Sequence, residues 1–320
     1  MKILVIKLGS LGDIIISTPI IKRIQEHYLN EEFWLLTTPS FVDFFSEWEG
    51  LHVIAFPRKG ISAFFKTVSW IRSQNFDCLY DLQSNDRTTL LSSLSQIKLR
   101  AGNHPRYPYH IHPDSSYNGE CHIFNRLNIL LSKANIAPAE PEPIVPTTGE
   151  EKNKINHWLK TKELIDNHFA IIHAGSSSSH PEKRWPYYAD LAEELYKHDL
   201  KIVWIGSDDD IEINKKLSAK YGIDATKNFT IPELIELGRH ARFAITNDSA
   251  PMHILSCSKI PLFGLFGPTN PTRNHALGQK DRVITSLQQF PKNDQAFSPA
   301  NINLISCNQI IQRLEDENLL

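Results

Sequence analysis

Three short stretches of this chain bring together residue types that can bind an anion or move a proton. The first is Lys7-Leu-Gly-Ser-Leu-Gly-Asp13, directly after the apolar run Ile3-Leu-Val-Ile6. Gly9 and Gly12 allow a tight turn and the close approach of a ligand, with Ser10 between them. Asp13 reads in two ways: as the N-cap of the following helix, worth about 1 kcal/mol, or as a general base that takes a proton from a hydroxyl. The stretch is not a dinucleotide fingerprint, because GxGxxG is absent and no acidic residue is suitably placed on the second strand.

The second stretch, His173-Ala-Gly-Ser-Ser-Ser-Ser-His180-Pro-Glu-Lys-Arg-Trp-Pro186, lies between a strand pattern and a helix pattern. Ser176, Ser177 and the loop amides can face a phosphate. Lys183 adds a flexible cation that can reach a diphosphate, with Arg184 beside it, while Trp185 reads as core. The third, Thr246-Asn-Asp248-Ser249-Ala-Pro-Met-His253, is another strand-to-helix junction. Asp248 or Ser249 caps that helix and Pro251 suits its first turn, so its positive end favours a second phosphate contact. His253, one turn in, either donates to a phosphate or sugar oxygen or is a buried structural histidine.

Two weaker signals follow. In Ser207-Asp208-Asp209-Asp210 the acids read as partners of a helix dipole, since nothing nearby completes an oxygen cage for a metal. Asp210 and Glu212 are instead candidates to touch the ribose or base of a nucleotide. Between Arg58 and Arg106 the chain carries a local excess of five positive charges. That reads either as a site for an anionic acceptor or anionic lipid, or as scattered surface charge.

These clusters need a scaffold that ends strands in loops. Strand patterns at Lys2–Lys7, Phe33–Thr37, His52–Phe56, Phe76–Leu82 and Ile97–Gly102 alternate with helix patterns from about Asp13 to Tyr28, at Ile61–Ser73, Arg87–Ser95 and Cys121–Ala134. Asn135–Glu150 breaks the series with Pro138, Pro141, Pro143 and Pro146, and reads as an inter-domain linker. Alternation then resumes: helix 151–162, strand 169–173, helix 187–198, strand 201–206, helix 208–221, helix 231–239, strand 243–246, helix 249–258, strand 261–266 and a terminal helix 308–320. Two α/β halves of similar size predict a cleft between Rossmann-like lobes, with ligands at the carboxyl ends of the strands.

Composition narrows the function classes. The chain has 320 residues, 34 basic against 36 acidic, and a formal net charge of −2. No polycation is present to hold nucleic acid. No apolar stretch approaches the roughly 20 residues of a membrane span, and the N-terminal run is too short for a signal peptide. Four cysteines without a CxxC pair exclude a zinc ribbon or redox motif and suggest a reducing, cytoplasmic protein.

Taken in order, the three clusters, with Asp81-Leu-Gln, Gly206-Ser…Asp210-x-Glu212 and Phe266-Gly-Pro-Thr-Asn-Pro271, resemble the pattern of glycosyltransferase family 9, the ADP-heptose:lipopolysaccharide heptosyltransferases. The resemblance runs over nearly the whole chain. It implies an α/β GT-B fold of two facing Rossmann-like domains with a cleft between them. Residues 1–145 would bind the acceptor and 146–320 the nucleotide sugar, with the C-terminal helix able to cross back to the first domain. It implies Asp13 as the base of an inverting displacement. Lys183, the Ser176–Ser177 loop and the helix from Ser249 would stabilise the departing ADP diphosphate without a metal or other cofactor. Asp248 and His253 match donor positions, and Asp210, Glu212, Ala250 and Met252 complete the expected donor set. Arg58 and Lys59 stand where the family places basic residues for an anionic inner-core acceptor, joined here by Arg87, Gly9, Ser10 and Gly12.

The chain departs from the pattern at Ala250, where glycine is usual, at Asn270, where aspartate is usual, and in Arg273–Gly278, which lacks a common proline. A cysteine-rich iron-binding insertion is absent from the sequence. The expected partners are a nucleotide-sugar donor and an anionic glycolipid, with peripheral contact at the cytoplasmic face of the bacterial inner membrane. Competing readings are transfer of another activated sugar to a different glycan, a nucleotide-sugar epimerase, and an idle nucleotide-sugar-binding protein.

Overall fold

Strands that must be covered on both faces read as unbroken apolar runs, and Lys2–Ile6, Phe169–His173 and Leu262–Phe266 are such runs, buried almost throughout. In the computed structural model, which describes residues 1–57, 59–119, 121–286 and 299–320, they form the centres of two parallel sheets. The chain divides into two units, Met1–Pro146 and Thr147–Leu320.

The first unit runs β1 (Lys2–Ile6), α1 (Leu11–His27), β2 (Glu32–Thr37), β3 (Leu51–Ala55), α2 (Ile61–Gln74), β4 (Cys78–Asp81), α3 (Asp86–Leu94), β5 (Leu99–Gly102) and α4 (Ile123–Lys133). Its five strands lie in the order β3-β2-β1-β4-β5, all parallel. The strand order reverses at β1, so the loop after Ile6 opens at a topological switch point, where open α/β sheets bind ligands. Ser10, not Asp13, caps α1: its side chain accepts from the Asp13 amide in a capping box. Pro19 cannot donate within the helix, and the Thr18 hydroxyl takes the Ile15 carbonyl in its place at 2.8 Å.

The proline-rich segment expected to link domains is not free. The Asn128 amide clasps Ala139 at both its N–H and its carbonyl, and the Ile144 N–H reaches the Thr18 hydroxyl at 2.8 Å. Ile136, Ala139 and Val145 are buried. These residues strap the segment to α4 and α1, and the division falls at Pro146.

The second unit runs α5 (Gly149–Thr161), β6 (Phe169–His173), α6 (Tyr188–Lys197), β7 (Lys201–Trp204), α7 (Ile211–Ser218), β8 (Ile223–Asp224), α8 (Ile231–His240), β9 (Phe243–Asn247), α9 (Ala250–Ser256), β10 (Leu262–Phe266), α10 (Pro271–Asn274), β11 (Val283–Thr285) and α11 (Cys307–Asp316). The parallel sheet has the order β11-β10-β9-β6-β7-β8, reversing between β6 and β9. The edge strands β8 and β11 are too short to show in the sequence pattern. The C-terminal helix, which the resemblance allowed to cross to the first domain, buries Ile310 and Leu314 in the second unit's core beside Ile305 and Trp185.

One buried amide joins the loops at this switch point. Asn247, fully buried at the end of β9, accepts from the Trp185 N–H at 3.2 Å and the Tyr188 hydroxyl at 3.0 Å. It donates to the carbonyls of Ala174 and Gly175 at 3.1 and 2.8 Å. A buried polar group left without a partner costs about 1–3 kcal/mol, so Asn247→Ala, which strands four, is expected to lose at least about 3 kcal/mol in urea unfolding. Asn247→Asp places a carboxylate against two carbonyls. It should be less stable still at neutral pH and recover as the medium is acidified. An Ala variant that unfolds with the wild type would remove this tie from the fold's stability.

Candidate functional site

A pocket of about 500 Å³ lies in the second unit at the ends of β6, β7 and β9. Its lining mixes charged and hydroxylic side chains, among them His173, Ser177, Lys183, Asp210, Asp248 and Ser249, with apolar ones, among them Ile205, Phe229, Ile231 and Leu234.

Lys183 closes the turn Pro181–Lys183, and its ammonium lies 2.8 Å from Asp248 Oδ2. Asp248 is almost wholly buried, and the same oxygen accepts the Thr269 hydroxyl at 2.7 Å. The expected cation is therefore present, already paired with an aspartate that had been assigned to the donor. Arg184 does not face an anion: it braces the loop through the Ser176 hydroxyl and carbonyl at 3.2 and 3.0 Å. Ser176 is buried in that brace, whereas Ser177 is exposed. Trp185 is core, as its surroundings in the sequence suggest, with its indole N–H on the Ile305 carbonyl.

Asp210 lines the pocket but is almost wholly enclosed. It is 2% exposed, and its Oδ2 accepts the Ser207 N–H and hydroxyl at 2.8 and 3.1 Å. That oxygen also meets His173 Nε2 at 3.4 Å. A β-carbon at Gly175 would stand 1.7 Å from Asp210 Oδ1, and one at Gly206 would stand 2.6 Å from Asp210 Cβ. Both positions must be glycine for the carboxylate to sit there. Burial works against its charge, but the bonds from His173 and Ser207 win and hold its pKa below the ordinary value. The neighbouring acids have partners too, Asp208 in Lys227 and Asp209 in the Ser178 N–H.

Three expected donor residues lie elsewhere. Glu212 is exposed on α7 and does not line the pocket. Met252 is fully buried, packed where a β-carbon on Gly264 would approach its sulfur to 2.9 Å. His253 is buried one turn into α9 and off the pocket wall. That helix has only seven residues, Pro251 supplies no N–H, and the Met252 N–H returns to the Ser249 carbonyl. It is a weaker anion site than its sequence position promised, which leaves Lys183 as the principal charge. Ala250 is exposed at the pocket edge, so its methyl does not crowd the backbone. Asn270 caps the short helix α10, accepting from the Thr272 N–H at 2.9 Å.

In the first unit, Asp13 is half-buried and accepts from the Ser10 N–H and hydroxyl at 3.3 and 3.1 Å. Gly9 has φ +29°, and a β-carbon there would meet Ile14 at 2.8 Å. Gly12 is buried inside α1. The loop is held from β4 by Gln83, whose carbonyl accepts the N–H groups of Leu8 and Gly9 at 3.1 and 2.8 Å. Lys7 is 4% exposed; burial lowers its pKa while Asp13 and Asp81 pull it back up. Asp81, fully buried, is raised by burial against hydrogen bonds from the Ser84 N–H and the Tyr109 hydroxyl.

Of the expected acceptor cations, Arg58 lies outside the described residues and Lys59 is exposed. Arg87 stacks on Phe56 and Phe64 and donates to the Pro57 and Gly60 carbonyls, so it supports this loop. The sequence motifs contained Lys7, Gln83 and Thr269 without giving them a role, and the Phe229–Leu234 wall was missed. The box Thr230-x-x-Glu233 was the available signal for that wall, because it marks a loop entering a helix.

Among the described residues, no three His, Cys, Asp or Glu side chains group as a metal site. Nor is any described helix long and apolar enough to cross a membrane.

The lowered pKa of Asp210 sets a pH dependence. Its stabilisation is full above the unfolded value of about 3.9 and is lost as pH falls through the lower folded value. Asp210→Asn should therefore unfold more easily than wild type near neutrality, with the gap narrowing below about pH 4. A gap independent of pH in urea unfolding would mean that the charge contributes nothing.

Among known proteins, the family model described as glycosyltransferase family 9 (heptosyltransferase) matches residues 64–298. Lipopolysaccharide core heptosyltransferase OpsX of Haemophilus influenzae is 20% identical over 301 residues, covering 89% of this chain and 84% of that protein. Against other heptosyltransferase relatives the chain spans about half or less of their length. Two solved structures share the fold over nearly all of both chains. A family 9 glycosyltransferase of Veillonella parvula has a TM-score of 0.82 at 20% identity, covering 98% of this chain and 96% of that one. Escherichia coli heptosyltransferase WaaC with ADP-2-deoxy-2-fluoro heptose has a TM-score of 0.69 at 16% identity, covering 99% and 100%. With the family pattern spanning most of its length and both parallel sheets of the expected kind, this chain belongs to glycosyltransferase family 9, the heptosyltransferase family.

Proposed function

We propose that this glycosyltransferase moves heptose from ADP-heptose onto an inner-core sugar of lipopolysaccharide, with inversion at the anomeric carbon. The observation that carries the reading is Lys183, an ammonium lining a 500 Å³ pocket whose lining is otherwise mixed, hydroxylic and apolar. That mixture suits a nucleoside diphosphate: base and ribose on Phe229, Ile231 and Leu234, and the diphosphate towards Lys183, Ser177 and Ser249. The volume is that of an ordinary small-molecule site.

In this reading Asp13 takes the proton from the acceptor hydroxyl as its oxygen attacks the anomeric carbon. The bond to the diphosphate oxygen breaks in the same step, and the leaving group carries away the electron pair. Lys183 meets the charge that develops there, in the role a metal ion plays elsewhere. Asp248, fixed by Thr269, holds the ammonium in place beforehand. Asp13 is held in place by Ser10, so little reorganisation is needed when it acts. Lys59 and the other cations of the 58–106 segment favour an anionic glycolipid acceptor, reached by peripheral contact at the cytoplasmic face of the inner membrane.

Asp13→Asn is expected to lower kcat by about 10²–10⁴-fold while leaving ADP affinity within a few-fold of wild type. Full turnover in that variant overturns the base assignment. Lys183→Met should lower kcat more than it weakens donor binding, by about 10²-fold or more, and unchanged turnover counts against the diphosphate role. Among a panel of nucleotide sugars, ADP-heptose should raise the melting temperature most.

A further inference from the structure

The start of α2 presents an apolar face to solvent. Ile61 and Phe65 stand four positions apart and so share one side of the helix. They are 79% and 58% exposed, whereas Phe64, Thr67, Val68 and Ile71 are buried. Two further exposed side chains, Leu90 and Tyr107, extend the face along α3. Arg87, one turn before Leu90, donates to the carbonyl of Gly60, the residue directly before Ile61. Ser93, one turn after Leu90, donates to the Tyr107 hydroxyl at 3.1 Å. Apolar side chains grouped in this way on a surface mark a place where something docks.

The charge around the face has one sign. From Phe56 to Asn75 the sequence holds Arg58, Lys59, Lys66 and Arg72 and no acid. Lys59 and Lys66 are exposed, and neither has an ion-pair partner among the described residues. The nearby acid Asp86 is neutralised by Arg106 at 3.5 Å. Topology also sets where the face opens. All strands of a parallel sheet end at one edge, so α2 and α3 begin at the same edge of the first unit as α1 with Asp13.

We propose that the first two turns of α2, flanked by Leu90 and Tyr107, are a docking surface for a bilayer of anionic phospholipid. Ile61 and Phe65 enter the boundary between headgroups and acyl chains, and Lys59 and Lys66 meet the lipid phosphates. A partner protein suits the face less well, because the cores of protein interfaces are depleted in lysine and here unpaired lysines stand among the apolar side chains. The proposal rests on the reading of the acceptor as a membrane glycolipid. It adds the surface that brings the edge carrying Asp13 to that lipid.

The test is flotation of the full chain with vesicles that contain no acceptor, either phosphatidylglycerol with phosphatidylethanolamine or phosphatidylcholine alone. Wild type should float with the anionic vesicles, stay behind with the neutral ones, and be released from the anionic ones at about 1 M salt. Ile61→Ser/Phe65→Ser should lower the bound fraction about tenfold or more, and Lys59→Gln/Lys66→Gln should do the same. Leu29→Ser removes an equally exposed leucine outside this face and should float as wild type does. The replaced side chains are exposed, so melting temperatures should stay at the wild-type value. Wild type that ignores anionic vesicles, or floats equally with both kinds, overturns the docking surface. So does Ile61→Ser/Phe65→Ser that floats undiminished, or a wild-type dimer in sedimentation that this variant splits, which would make the face a contact between copies. Transfer to a de-acylated core saccharide tests the transferase reading separately: Ile61→Ser/Phe65→Ser should match wild type there, and absence of transfer by wild type overturns that reading without touching the flotation result.

Discussion

The Asn247 amide is the constraint on which the second unit's pocket depends. A carboxamide carries two donors and an acceptor oxygen with two lone pairs, and here each is used within a fully dry site. Its partners belong to the loop after β6, the segment leading into α6, and α6 itself. Those segments carry His173, Ser176 and Lys183, while the amide itself sits one residue before Asp248. Fixing one planar group therefore sets the relative positions of the charged wall. Because the amide is satisfied at every atom, a shift of any loop strands a buried polar group, which makes the arrangement stiff.

Stiffness matters because the wall holds charges that would otherwise collapse onto one another. Lys183 reaches Asp248 at 2.8 Å, with Thr269 on the same carboxylate. Asp210 is held apart from that pair by Ser207 and by two glycines that admit it. The result is one compensated ion pair and one carboxylate bonded to Ser207 and His173. In the proposed donor reading the diphosphate competes with Asp248 for an ammonium already oriented, and the ion pair keeps that ammonium from standing as an unpaired charge.

The fold was legible because it rests on periodicity. Apolar runs of four to six residues separated by amphipathic helices specify parallel βαβ units whatever the side-chain details, so the central strands and most helices stand where their pattern puts them. The strands β8 and β11 escaped because two or three residues carry no period. The proline segment was read as a linker from composition alone. Whether it is free depends on Asn128 and Thr18, residues distant in sequence whose side chains happen to face it. The site was legible at its charges and not at its supports. Lys183 and Asp248 announce themselves by type, but their pairing is a contact across 65 positions. The enclosure of Asp210 did not show either, because a carboxylate near a helix start looks available in a sequence. Only the backbone of Gly175 and Gly206 shows that it is enclosed. Likewise Lys7 reads as the polar end of a strand, although the fold buries it between Asp13 and Asp81.

In the proposed mechanism Asp13 carries two tasks that pull in different directions. As the third residue of α1 it completes a capping box, and the two donors of Ser10 stabilise its charged form. A free carboxylate at a loop tip would spend most of its time away from the hydroxyl that the proposed mechanism assigns to it. Positioning of reacting groups is worth several kcal/mol, whereas a hydrogen bond to a charged group contributes about 1.5–3 kcal/mol. The exchange favours the cap. The same reasoning accounts for the supports behind it: Gln83 takes two loop amides, and Gly9 turns where a β-carbon would strike Ile14. A carboxylate built on a helix start gains its precision from the helix, and in the proposed mechanism that precision is what lets Asp13 meet the acceptor hydroxyl without a search.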